Sequence, residues 1–218
     1  MEQKFIDYWR GKLTPISQLH EPAFLALPLT TQTFLLEFGL PTDEEFITDW
    51  GFIHTFERGP LAEITSGDVT YTVIGGLFTA IPDQKDGFRT PTPLGINQRT
   101  GELFKLWRVI LPHERDHFVN TTVECFVASL ALYQQLRSKI WVSGPEKIIY
   151  TALEDNDLFA PERVPPEIRA DFLNRKNHRE SLVQLATEAF SRIDPQVCDE
   201  NLPDSYWREL FYEEIYGM

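Results

Sequence analysis

The chain has 218 residues, enough for one large domain or two small ones with a substantial core. At 42% hydrophobic and 24% charged residues it is composed like an ordinary globular protein, which sets aside collagen-like, low-complexity and disordered classes. Its net charge of −13 repels phosphate backbones, so nucleic acid is not expected as a partner, whereas a basic protein would be met faster at low salt.

No apolar run reaches the roughly 20 residues that a membrane helix requires. The opening Met1-Glu2-Gln3-Lys4-Phe5 is charged rather than an apolar leader. Cys125 and Cys198 lack CxxC spacing and form neither a disulfide framework nor a cysteine-based zinc site. A cytoplasmic protein is expected, with no membrane partner and no cofactor.

Phe5, Tyr8, Trp9 and Leu13 recur at helical spacing, which predicts a short opening helix ended by Pro15. A second helix is predicted over about 31–38, capped by Thr30 or Thr31. Phe34, Leu35 and Phe38 form its apolar face, Gly39 closes it in the left-handed position, and Pro41 prevents its resumption. Asp43-Glu44-Glu45 after Thr42 reads as the acidic first turn of a further helix.

The period then switches to two. Val69, Tyr71 and Val73 alternate with Thr70 and Thr72 as in a half-buried strand. Leu61–Ile64 is its candidate partner across the turn Ser66-Gly67-Asp68. Gly75-Gly76 is read as an interruption before a second apolar stretch, 77–81. Residues 82–93 are read as an exposed loop. Strands at 94–97 and 102–111 flank the turn Gln98-Arg99-Thr100-Gly101, giving a β-meander.

A long core helix is predicted from Val123, with Phe126, Val127, Leu130, Tyr133 and Leu136 on its apolar stripe and Thr121 and Glu124 as a capping box. After a hinge at Ser143-Gly144-Pro145, helices are predicted at 146–153, about 166–175, 178–193 and 205–216. The fold class expected is α+β: a twisted antiparallel sheet covered by helices, with a helical part from about 145 to 218, in a single domain spanning 1–218.

The order of motifs resembles the fourth subfamily of the SUKH superfamily. Phe38-Gly39-Leu40-Pro41 is similar to its early "FGLP" turn, and Tyr71 to Gly75 to its strand end. The turn Asn97 to Glu102 and the helix start Phe118-Val119-Asn120-Thr121-Thr122-Val123 also match. Ile193-Asp194-Pro195, Tyr206-Trp207 and Glu214-Ile215-Tyr216-Gly217 resemble its closing helices. Threonine stands at 121 and 122 where the family uses serine. The pieces span residues 38–217, and the first 30 residues add little.

The matching residues serve folding: Gly39, Gly75 and Gly101 suit turns, Pro41 fixes a backbone angle, and Asn120 and Thr121 offer acceptors to a helix start. The resemblance implies a non-catalytic immunity protein that binds and neutralises a cognate bacterial polymorphic toxin. A basic nuclease would suit the charge. An intracellular adaptor on the same scaffold, as in eukaryotic relatives linked to cell-wall regulation, is the alternative.

The string His113-Glu114-Arg115-Asp116-His117 literally reads H-E-x-x-H, the zinc-hydrolase pattern. There both histidines occupy one helical face and the glutamate activates water. The surroundings do not suit it. Leu106–Leu111 reads as a strand, Pro112 precedes the first histidine, and a new helix start falls at Asn120–Thr121. An exposed charged connector is the plainer reading, so no catalytic residue and no metal ligand is assigned. His20, His54 and His178 are isolated. Acidic groups near the sheet edge, Asp83 and Asp86 of the loop with Glu114 and Asp116 of the connector, are the expected contacts to a partner.

Overall fold

In the computed structural model the described residues are 3–16, 21–41, 46–47, 52–56, 61–79, 92–106, 116–140, 181–198 and 206–207. Helix α1 (Gln3–Trp9) buries Phe5 and Trp9, one turn apart, and the indole N–H of Trp9 donates to the Val127 carbonyl at 2.9 Å. Strand β1 (Leu13–Thr14) then pairs with β2 (Leu40–Pro41). Between them lie two helices. The short α2 (Pro22–Leu25) opens on a proline whose fixed φ suits a first helical position.

Helix α3 (Leu29–Glu37) begins two residues earlier than its pattern predicts. Its N-cap is Pro28, whose ring offers no hydrogen-bond acceptor, so neither Thr30 nor Thr31 caps it. Thr31 is buried instead. The far end agrees with expectation: Gly39 takes φ +83°, and the amides of Phe38 and Gly39 both bond to the Phe34 carbonyl.

Seven strands among the described residues form one antiparallel sheet. They are β3 (Phe46–Ile47), β4 (Phe52–Phe56), β5 (Glu63–Ser66), β6 (Val69–Thr79), β7 (Thr92–Asn97), β8 (Leu103–Lys105) and β9 (His117–Asn120). The path runs β3-β4-β6-β7-β8-β9, and β5 lies beside β6. Eleven-residue β6 is the spine. One of its edges takes β5 along the first half and β4 along the second, and the other takes β7. From β5 to β8 each strand pairs with the next, as the predicted meander requires. Strand β9 extends it within a segment read as an exposed connector.

Two local expectations fail here, and one strand lies where none was stated. Gly75-Gly76 does not interrupt β6. The pair sits just after a register shift between Val73 and Gly75, so a bulge absorbs the irregularity and the strand continues. Gly75 therefore serves a bulge rather than a turn. No helix opening after Thr42 extends to Phe46–Ile47, which is strand. The strand β4 was not anticipated, because its central His54-Thr55 breaks the apolar run.

The sheet has two covered faces. Ile74, Leu94, Ile96, Leu103 and Val119 join the main core with Phe24 of α2, Leu35 of α3 and the stripe of α4 (Val123–Ile140). Phe126, Val127, Leu130 and Ala131 of that stripe are fully buried, as the helical period predicts. Residues 181–193 form a further helix, α5, followed by a 3₁₀ turn at Pro195–Cys198. Phe190, Val197, Tyr206 and Trp207 from this part enter the same core. Each fully buried aromatic contributes about 2–3 kcal/mol by removal from water. On the opposite face Tyr71, Val73 and Leu106 are buried, and Tyr71, Phe104 and Phe118 meet edge to face at 5.6 and 5.8 Å. Gly95 makes that crossing possible, because a Cβ there would stand 2.7 Å from Leu106 Cδ1 and 3.0 Å from Tyr71 Cβ.

The helices predicted at 146–153 and about 166–175, the hinge at 143–145, the loop at 82–91 and the end of the closing helix lie outside the described residues. Tyr206 and Trp207 are helical.

Candidate functional site

Where β9 ends and α4 begins, the chain places polar atoms in its interior. Asn120, Ser129 and Asp194 are all at most 1% exposed. Asp194, just past α5, uses Oδ2 to accept from Asn120 Nδ2 at 3.0 Å, from the Thr121 backbone N–H at 2.7 Å and from the Thr121 hydroxyl at 3.1 Å. Its Oδ1 accepts from the Gln196 amide at 3.3 Å. Asn120 Oδ1 accepts the Trp207 indole N–H at 2.8 Å, and Asn120 Nδ2 also reaches Ser129 Oγ at 3.4 Å. Cys125 Sγ points at the Ile193 carbonyl at 3.4 Å. Asn120 and Thr121 of the helix-start resemblance and Asp194 and Trp207 of the closing one thus form one network joining the sheet to the C-terminal helical part.

This corrects the predicted capping box by one residue. Thr122, not Thr121, caps α4, its hydroxyl accepting the Cys125 amide at 3.1 Å. Thr121 turns to Asp194, seventy-three positions on, a partner that local spacing cannot reveal.

Of the acidic residues expected to face a partner, Asp83, Asp86 and Glu114 lie outside the described residues. Asp116 is half-buried and accepts a hydrogen bond from the Tyr71 hydroxyl. Burial pushes the Tyr71 phenol up to about 12, with the Asp116 charge and hydrogen bond adding to it and Glu102 contributing least. At least one oxygen of Asp116 is therefore directed inward, to the second face of the sheet.

His113 and Glu114 of the HExxH string are likewise outside the described residues, but His117 is not. It begins β9, in register with Lys105 of β8. A strand residue does not share a helical face with a residue four positions earlier, which is the geometry that the zinc motif needs. Among the described residues no group of three or more His, Cys, Asp or Glu is placed to hold a metal ion. No helix among them is long and apolar enough to cross a membrane.

The described surface has another feature, in the segment the motifs leave unused. Leu25 at the end of α2 is 56% exposed and Leu29 at the start of α3 is 76% exposed. Glu21, at the α2 N-cap, accepts the Leu61 backbone N–H through Oε2 at 2.8 Å. Between Leu25 and Leu29, Leu27 is buried. Comparison with known proteins supplies no relative: no family model matches the chain, and neither a curated protein nor a solved structure does.

Proposed function

We propose that this chain is a non-catalytic immunity protein of the SUKH type, which binds and neutralises a cognate bacterial protein toxin, with a basic nuclease domain as the toxin its charge fits best. What supports the reading is where the residues of the resemblance end up. Asn120, Thr121, Asp194 and Trp207 commit their polar atoms to one another inside the protein. Such residues maintain a scaffold, and a scaffold held from inside leaves the surface free to suit one partner. The net charge of −13 would steer a cationic partner.

The test is purification of the tagged chain from its native cell at low salt, with partners and metal identified by mass spectrometry. The expected outcome is a stoichiometric toxin-domain protein, lethal when expressed alone and harmless when co-expressed with this chain. Association should slow as salt shortens the Debye length from about 30 Å to about 8 Å. A partner without toxicity overturns the reading. So does a stoichiometric zinc ion with hydrolytic activity lost in Glu114→Gln.

A further inference from the structure

The corner between α2 and α3 combines three properties that an interface centre needs. It is apolar: Leu25 and Leu29 are 56% and 76% exposed. Single exposed leucines are ordinary, but these two share one turn of chain. It is fixed: the Gln32 side-chain amide donates to the Leu27 carbonyl at 2.7 Å and the Leu25 carbonyl at 3.2 Å, tying α2 to the first turn of α3. A corner already ordered loses little entropy on docking.

It is also rimmed by carboxylates. Glu21 lies at the N-cap of α2. Glu63 accepts from Gln98 Nε2 at 2.6 Å. The same amide reaches Thr72 Oγ1 at 3.2 Å, and that hydroxyl donates to the Ala23 carbonyl of α2 at 2.8 Å. Glu102 accepts from the Thr100 hydroxyl at 2.7 Å, beside Gly101, where a Cβ would stand 3.2 Å from Thr31 Oγ1 and 3.4 Å from Pro28 Cγ. The three donors, an amide N–H, a side-chain amide and a hydroxyl, are uncharged. They orient the carboxylates without neutralising them. Exposed Arg99 at the tip of the turn offsets part of this charge and leaves the rim net negative among the described residues.

We infer that this corner is the docking knob for a basic partner protein, with Leu25 and Leu29 entering an apolar socket and Glu21, Glu63 and Glu102 meeting cationic side chains around it. The inference rests on the protein-binding reading above. The rim selects the occupant. A second copy across a two-fold axis would set carboxylates against carboxylates. Anionic lipid and nucleic-acid phosphates meet the same repulsion. A cationic protein surface gains from it, in rate above all.

The experiment places a benzoylphenylalanine photo-crosslinker in the full chain at position 29, with position 185 as control because Leu185 is also exposed, at 59%. Crosslinked products from the native cell are identified by mass spectrometry, and the captured protein is purified and titrated against defined variants. A basic protein is expected from position 29 and not from 185. Leu29→Asp should weaken its binding at least about tenfold. That change leaves the fold intact, since an acidic residue suits the first turn of a helix. The combined Glu21→Gln, Glu63→Gln and Glu102→Gln variant should associate several-fold more slowly at low salt and equally fast at high salt. The inference is overturned by a crosslink to the chain itself or to lipid, by no product at position 29, or by wild-type affinity in Leu29→Asp. A basic but harmless partner docking at position 29 would keep this corner and remove the immunity reading. A toxin neutralised equally well by Leu29→Asp would do the reverse.

Discussion

The indole N–H of Trp207 donates to Oδ1 of Asn120 at 2.8 Å across 87 positions of chain, and neither side chain is more than 1% exposed. The same indole ring stacks on Phe190 at 5.2 Å and lies 6.1 Å from Phe126 and from Tyr133. One residue thus supplies both the centre of an aromatic cluster and the donor that closes a polar network. The two roles separate by substitution. Trp207→Phe retains most of the ring contacts and leaves Asn120 Oδ1 without this donor, at an expected loss of about 1–3 kcal/mol. Trp207→Ala should cost about 3–5 kcal/mol. Urea unfolding of Trp207→Phe, Asn120→Ala and the double variant should give a coupling energy of at least about 0.5 kcal/mol. Strict additivity would mean that the hydrogen bond does not stabilise the fold.

Asp194 is the acceptor on which that network converges. Asp194→Ala removes the acceptor of the Thr121 N–H and the nearer acceptor of the Asn120 amide and the Thr121 hydroxyl, so about 3 kcal/mol of stability should be lost. Asp194→Asn keeps one acceptor oxygen and should lie between this variant and the wild type. Thr122→Ala removes only the α4 cap and should cost about 1 kcal/mol. The order Asp194→Ala, Asp194→Asn, Thr122→Ala in thermal midpoints is the measurement. A Thr122 variant as damaged as Asp194→Ala would refute the assignment of the network as the stronger tie.

What could be read from residues alone follows the range of the interaction. The stripe of α4 and the Gly39 terminus depend on neighbours within a few positions, and each stands as its pattern predicts. The strand at β6 stands too, but not its single buried face: Thr72, on the side its pattern leaves to solvent, is fully buried and donates to the Ala23 carbonyl. The α4 cap was displaced by one residue because Thr121 and Thr122 are equivalent to local chemistry, and only Asp194 distinguishes them. Asp116 counted as an exposed acid because spacing does not show that Tyr71, three strands away in the path of the sheet, donates to it. The unbroken β6 was missed because a glycine pair at a bulge and a glycine pair at a turn look alike. The α2–α3 corner was legible as composition and not as a surface, since burial of Leu27 and exposure of Leu25 and Leu29 are decided by packing.

Gly39 offers a test of backbone geometry rather than of side chains. Its φ of +83° disfavours any residue with a Cβ, and a Cβ placed there would run into the Thr14 carbonyl of β1. Gly39→Ala should therefore cost more than the roughly 1–2 kcal/mol of the left-handed conformation alone. Exposed Gly11 also has positive φ, +74°, but nothing within 4 Å of a Cβ, so Gly11→Ala should show only the conformational part. The difference between the two variants in urea unfolding isolates the approach of β1. Equal losses would show that β1 moves aside at no cost.

The Tyr71–Asp116 pair makes stability depend on pH in a known direction. The phenol ionises at about 12 in the folded chain against 10.0 ordinarily. Between these values the folded state holds a proton that the unfolded state has released. The stabilisation is therefore whole below pH 10 and declines as pH rises towards 12. Tyr71→Phe removes this group's slope, so the urea midpoint should fall less steeply above about pH 10 than in the wild type. Asp116→Asn removes a negative charge and leaves the burial, which is the larger cause, so its slope should be intermediate. An ultraviolet difference titration of wild type against Tyr71→Phe gives the same answer directly, with a phenolate step near 12 in the folded protein. A step near 10 would show the hydroxyl to be solvated rather than held by Asp116.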